Sequence, residues 1–108
     1  DVRDVARANV LALTAPWDKW NQVYNIGSGV EMTAKEAGDI VCKYMNWTGG
    51  VDVVAAREVD PQRFVFDTKK AEVMLKFKAQ FSFEDTVKHI CEEMKKRDIL
   101  VEENKEKT

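Results

Sequence analysis

The segment Asp4 to Leu13 constrains this chain most. Its apolar residues Val5, Ala6, Ala8, Val10, Leu11, Ala12 and Leu13 cover nearly the whole circumference of a helix. A helix apolar all round is normally buried on all sides. The chain has 108 residues, enough for one domain or one lobe and with few elements to spare for such burial. The pattern therefore predicts a covering surface that the chain itself does not supply. Asp4 reads as the N-cap of this helix and Pro16 as its end.

Downstream, Trp17 to Asn21 reads as a surface loop with two aromatics, and Val23-Tyr24-Asn25-Ile26 as a short strand closed by the turn Gly27-Ser28-Gly29. Thr33-Ala34-Lys35-Glu36 matches a capping box, which opens a helix to about Met45. Ala37, Ile40, Val41, Tyr44 and Met45 share one face of it, and Asp39 and Lys43 have the spacing of an ion pair on the other. After Gly49-Gly50, Val51 to Val54 reads as a second strand. Strand, helix and strand in that order predict a βαβ unit with parallel strands. Two strands alone make a marginal sheet, again pointing to a missing neighbour. Beyond a polar loop from Arg57 to Arg63, Phe64-Val65-Phe66 reads as extended. Asp67 caps a helix through about Lys76, with Ala71, Met74 and Leu75 inward. A capping signal at Ser82 to Asp85 opens a last helix with the stripe Phe83, Val87, Ile90, Cys91 and Met94, ending near Arg97. The expected fold is thus α/β: a partial lobe, residues 1–100, of about four helices and a small parallel sheet of two or three strands. Residues 101–108 read as a charged, frayed tail.

Seventeen basic residues face nineteen acidic ones, a formal net charge of -2. That balance gives no field for nucleic acid or an anionic membrane, so neither is an expected partner. The capped helix from Thr33 to Asn46 resembles a helix-turn-helix element only superficially, because no second short helix stands at the required spacing. No apolar run is long enough to span a bilayer and no signal peptide leads the chain, which sets the expected location as the cytoplasm. The chain opens at Asp1 without Met, inside what reads as a continuing passage, so a longer parent polypeptide is expected. Cys42 and Cys91 are far apart and belong to no paired-cysteine metal motif, and they read as two reduced thiols on apolar helix faces.

No Gly-x-Gly-x-x-Gly loop follows a strand, no Tyr-x-x-x-Lys pair occurs, and no Ser-His-Asp, Cys-His or metal cluster is present. No catalytic, cofactor-binding or metal-ligating residue is therefore expected in this chain. His89, the one histidine, lies off the apolar stripe of its helix and reads as a solvated imidazole. The Gly27-Ser28-Gly29 turn could hold an anion on its amides, but such turns are more often only turns. The loop from Arg57 to Arg63 carries more chemistry. The planar fork of Arg57 suits a diphosphate, the carboxylate of Asp60 suits a ribose diol, and Arg63 supplies a second positive charge. The plainer reading is a solvated loop whose charges pair with one another.

These same residues carry a resemblance. Asp1-Val2-Arg3-Asp4-Val5-Ala6-Arg7-Ala8 resembles the "H-V-x-D-V-A-x-A" passage of extended short-chain dehydrogenase/reductases, the NAD-dependent epimerase/dehydratase family. Tyr24 to Gly29 is similar to that family's "Y-N-I-G-S-G", and Arg57 to Ala71 to the "R-x-G-D…D-x-S-K-A" segment of its UDP-galactose 4-epimerase branch. The likeness runs in order from Asp1 to about Met94. It implies the C-terminal, substrate-binding lobe of a nucleotide-sugar enzyme, normally packed on a Rossmann domain. That N-terminal domain, absent here, would hold NAD(P) and the catalytic Tyr and Lys. By position, the resemblance gives Arg57 to the diphosphate and Asp60 to the ribose, with Arg63 where some members carry a basic residue. It makes Asp67 a helix cap and Lys70 structural. The reaction implied for the whole enzyme is reversible hydride transfer at the sugar's C4, ending in epimerisation or dehydration. Val59, Lys69, Lys76 and Ala79 depart from the family pattern, which has Gly, Ser, Gly and Pro there.

A competing expectation keeps the fold and drops the chemistry: a stand-alone nucleotide-binding or protein-interaction module. In that case a homodimer would supply the cover that the first helix needs.

Overall fold

A computed structural model describes the backbone of residues 1–106 and the side chains of residues 1–98. Among the described residues the helices are α1 (Val2–Thr14), α2 (Ala34–Met45), α3 (Lys69–Leu75) and α4 (Phe83–Glu106), with a 3-10 turn at Trp17–Lys19. The expected parallel sheet is wrong: no strand occurs among the described residues. Residues 23–26, 51–54 and 64–66 run without backbone pairing to one another, and Val23, Val53 and Val54 stand 82%, 91% and 83% exposed. A run of β-branched residues fits a pleated surface only when a neighbouring strand accepts its ladder hydrogen bonds. Within these residues none does.

The chain forms two compact units, one of residues 1–32 and 53–82, the other of residues 33–52 and 83–108. The first holds a small core in which α1 packs on α3. Ala8, Ala71, Leu75 and Phe77 are buried, with Leu11, Ala12, Ala15, Tyr24, Ile26 and Ala79 packed around them. The inward positions expected for α3 are met, since Ala71 and Leu75 are buried and Met74 half-buried. Thr68 is the N-cap, while Asp67 Oδ1 accepts the Lys69 amide at 3.0 Å, so the expected cap acts from one residue further out. At the other end Lys76 takes a left-handed conformation, φ 53°, and its amide bonds Ala71 O. The amide of Phe77 reaches the same carbonyl at 3.1 Å. The helix stops as a glycine would stop it, with a lysine bearing the strain.

Asp1, not Asp4, caps α1: its carboxylate accepts the Arg3 amide at 2.9 Å and the Arg3 guanidinium at 2.7 Å. The helix is also not covered on all sides. Asp4, Ala8, Leu11, Ala12 and Ala15 turn toward the core, while Val2 (78%), Val10 (58%) and Leu13 (74%) stand on the opposite face in water.

In the second unit α2 packs on α4. The capping box is present as read, with Glu36 N on Thr33 Oγ1 at 3.1 Å and Thr33 N on Glu36 Oε2 at 2.8 Å. Asn46 ends α2 in a left-handed conformation, φ 53°. Ala37, Ile40 and Tyr44 are half-buried, and Val87 and Cys91 are buried on α4. Both cysteines are free. Asp39 pairs with Lys35 at 2.9 Å rather than with Lys43. Lys43 and the Tyr44 hydroxyl instead donate to Glu84 Oε1 at 2.7 and 2.8 Å, tying α2 to the first turn of α4. These bonds hold the Glu84 carboxyl below its usual range and raise the Tyr44 phenol. The helix α4 continues past Arg97 to Glu106. The side chains of the expected tail, 101–108, and the backbone of 107–108 lie outside the described residues.

Candidate functional site

Arg57 and Asp60 face each other across one turn, because the Asp60 amide donates to Arg57 O at 3.0 Å and brings the chain back on itself. The guanidinium then meets the carboxylate: Nη2 reaches Oδ1 at 2.8 Å, and Nε reaches Oδ1 at 3.1 Å and Oδ2 at 3.2 Å. The Arg57 amide adds a further bond to Oδ2 at 3.1 Å. The side-chain and then the backbone bonds from Arg57 hold the Asp60 carboxyl below the usual range. Both groups are open to solvent, with side-chain exposures of 80% for Arg57 and 37% for Asp60. Two of the three expected residues are therefore together, closed on each other. Arg63 is engaged elsewhere in the same unit, with Nε 2.6 Å from Glu31 Oε1. Glu31 was not read as a partner from sequence, and nothing in the separation of 31 from 63 marks such a pair.

Two cavities of this unit lie at other residues. A groove of about 240 Å³ is lined by Val5, Ala8, Asn9, Ala12, Gln22, Tyr24, Ile26 and Leu75. A smaller one, about 80 Å³, borders Asp1, Asp4, Gly27, Ser28 and Phe81. Asp4 is the buried charge here, 4% exposed. Its carboxylate accepts the Gln80 amide at 3.0 Å, the Phe81 amide at 3.1 Å and Arg7 Nη2 at 3.0 Å. Burial alone would raise this carboxyl, but the bonds from Gln80, Arg7 and Phe81 outweigh it and hold the group below its ordinary value. Arg7 also donates to Lys78 O and lies 4.9 Å from the Phe77 ring, and Arg3 covers Phe81 at 3.7 Å. Asp4 therefore ties α1 to the chain leaving α3.

A dinucleotide phosphate needs backbone amides held open to it by a glycine turn. The turn at 27–29 lies close against residues 66 and 68, for a β-carbon at Gly27 would meet the Phe66 ring at 3.3 Å and one at Gly29 would meet Thr68 Oγ1 at 3.3 Å. The cavity it borders also carries the carboxylates of Asp1 and Asp4, which oppose an anion. This turn does not fit the phosphates of NAD(P). Lys70 donates to Val23 O at 2.9 Å and lies 5.0 Å from the Tyr24 ring, which gives it a structural tie. His89 is exposed on α4. Among the described residues no cluster of His, Cys, Asp and Glu could hold a metal ion, and no helix is long and apolar enough to cross a membrane.

No family model matches the chain. No solved structure matches it either. Among curated proteins the chain is similar to one from Methanocaldococcus jannaschii named "Putative UDP-glucose 4-epimerase", with 34% identity over 94 residues. The match takes in 87% of this chain and 29% of that protein, so the chain spans under a third of the relative's length. At that identity and coverage of this chain, its relationship is to an epimerase-like protein.

Proposed function

We propose that this chain is the nucleotide-sugar-binding portion of an NAD(P)-dependent sugar epimerase or dehydratase, and is not catalytic by itself. The observation that carries this reading is the 34% identity to the epimerase-named relative, which extends over 87% of the chain. It is supported by the Arg57–Asp60 turn, which places the two group types that a nucleoside diphosphate requires within one exposed loop. A guanidinium offers parallel donors to a diphosphate, and a carboxylate accepts from a ribose diol. Arg63 adds positive charge once released from Glu31.

NAD(P) belongs to a domain beyond this chain, where it would supply hydride exchange at the sugar. The residues described here bind and orient. The outer face of α1 supports a covering domain, since Val2, Val10 and Leu13 form an exposed apolar stripe on it.

The test is Arg57→Ala in the complete enzyme, with substrate and cofactor binding titrated separately. Loss of a charge-assisted contact to phosphate weakens nucleotide-sugar binding by about tenfold or more and leaves NAD(P) binding nearly unchanged. Unchanged nucleotide-sugar affinity would remove Arg57 from the site.

A further inference from the structure

The carboxylate of Asp60 has about four acceptor positions. Three N–H groups of Arg57 engage both of its oxygens: Nη2 on Oδ1, the backbone amide on Oδ2, and the one Nε–H shared between the two. While the pair is closed, a ribose diol therefore meets a carboxylate with both oxygens already engaged. A diphosphate approaching the guanidinium meets a full negative charge 2.8 Å from Nη2 and 3.1 Å from Nε. The donors and acceptors that each group gives to the other are freed for a ligand when the two part.

We propose that the Arg57–Asp60 pair is a latch, in which Asp60 occupies Arg57 in the free protein and a nucleoside diphosphate binds by prising the two apart. This rests on the reading of Arg57 as the diphosphate contact. The latch is weak by construction. Both side chains are solvated, and the ion pair spans one turn of an exposed loop. It sets a threshold against stray monoanions and opens for a ligand that engages both halves, with phosphate on Arg57 and ribose on Asp60. Affinity for the phosphate part alone is consequently lower than the guanidinium would give unencumbered.

Inorganic pyrophosphate, which has no ribose, isolates the Arg57 half. Its binding to the 108-residue chain is titrated calorimetrically for the unaltered protein and for Asp60→Asn, Asp60→Ala, Arg57→Ala and Glu58→Gln, with circular dichroism confirming helix content. Removing the Asp60 carboxylate tightens pyrophosphate binding by about two- to fivefold, the range set by an exposed ion pair. Asp60→Asn and Asp60→Ala share that sign. Glu58→Gln removes an equal charge from the same turn without touching the pair, and gives a smaller gain. Arg57→Ala abolishes binding. An equal gain from Glu58→Gln, or no gain from either Asp60 variant while Arg57→Ala still loses binding, overturns the latch and leaves the Arg57 reading standing. Binding that survives Arg57→Ala, or no binding by any variant, overturns the Arg57 reading and the latch with it.

Discussion

Asp4 shows how one charged residue can be buried at a net gain. A carboxylate out of water is costly unless its lone pairs are met. Here two backbone amides and a guanidinium meet them, and no buried side-chain polar atom is without a partner among the described residues. Asp4→Ala would leave the Gln80 and Phe81 amides unpaired near the core, a loss of about 1–3 kcal/mol in urea unfolding. The pH dependence has a definite sign. Because the folded carboxyl lies below its ordinary value, the stability it contributes is fully present above about pH 4 and is lost as pH falls through the folded value. The gap in unfolding midpoint between the unaltered protein and Asp4→Ala should therefore narrow as pH falls below about 4. A gap that stays constant from pH 7 down to pH 2 would mean that the carboxylate's charge is not what matters. Sequence pattern alone placed Asp4 as a helix cap, because an acidic residue before an apolar run has that appearance. Its partners at 80 and 81 lie too far along the chain for any local spacing to reveal them.

The ends of α2 follow local chemistry and were legible for that reason, whereas the cap of α1 and the end of α4 were not. Thr33 and Glu36 satisfy each other's backbone donors within four residues, so nothing distant is needed to form the box. Thr33→Ala should cost about 1 kcal/mol, read as a lowered thermal midpoint. The stop of α3 is a position where the chain is improvable. Lys76 holds φ 53°, a conformation that opposes a β-carbon, and Lys76→Gly should stabilise the protein by about 0.5–1 kcal/mol while keeping the bonds to Ala71 O. A drop in the melting temperature would show that the lysine side chain contributes more than its backbone strain costs. The extended segments were misread because β-propensity reports fit to a pleated surface, and the deciding term is the strand alongside. Val23 to Ile26 has the right residues, yet its bonds go to other partners. Lys70 takes the carbonyl of Val23, and the Tyr24 hydroxyl donates to Lys19 O at 2.6 Å. The candidate site was legible to the same local limit. The spacing of Arg57 and Asp60 gives a turn-spanning pair, whereas the Glu31 contact of Arg63 crosses more than thirty residues and carries no pattern.

At the scale of the molecule, burial is sparse for a chain that is 44% hydrophobic. In the first unit Phe77 is the large side chain most completely enclosed, while Trp17, Val53, Val54, Val59 and Phe64 are each at least 70% exposed. Single exposed apolar residues are ordinary, but an aligned stripe is not. On α1, Val2, Ala6, Val10 and Leu13 recur at helical spacing on the face opposite Ala8 and Leu11. If a covering domain belongs there in the complete protein, the stripe has little to do with the stability of this chain and much to do with that of the whole. Val10→Lys with Leu13→Lys separates the two. In the 108-residue chain the double variant should leave urea unfolding within about 0.5 kcal/mol of the unaltered protein, since both side chains are mostly exposed. Self-association at high concentration, measured by sedimentation, should fall with it. In the full-length protein the same two lysines would have to be desolvated against an apolar surface, a cost of several kcal/mol that should appear as loss of soluble, folded enzyme. Full-length protein unaffected by the double variant would mean that this face stays in water in the complete enzyme, and that the apolar circumference of α1 answers to something other than a covering domain.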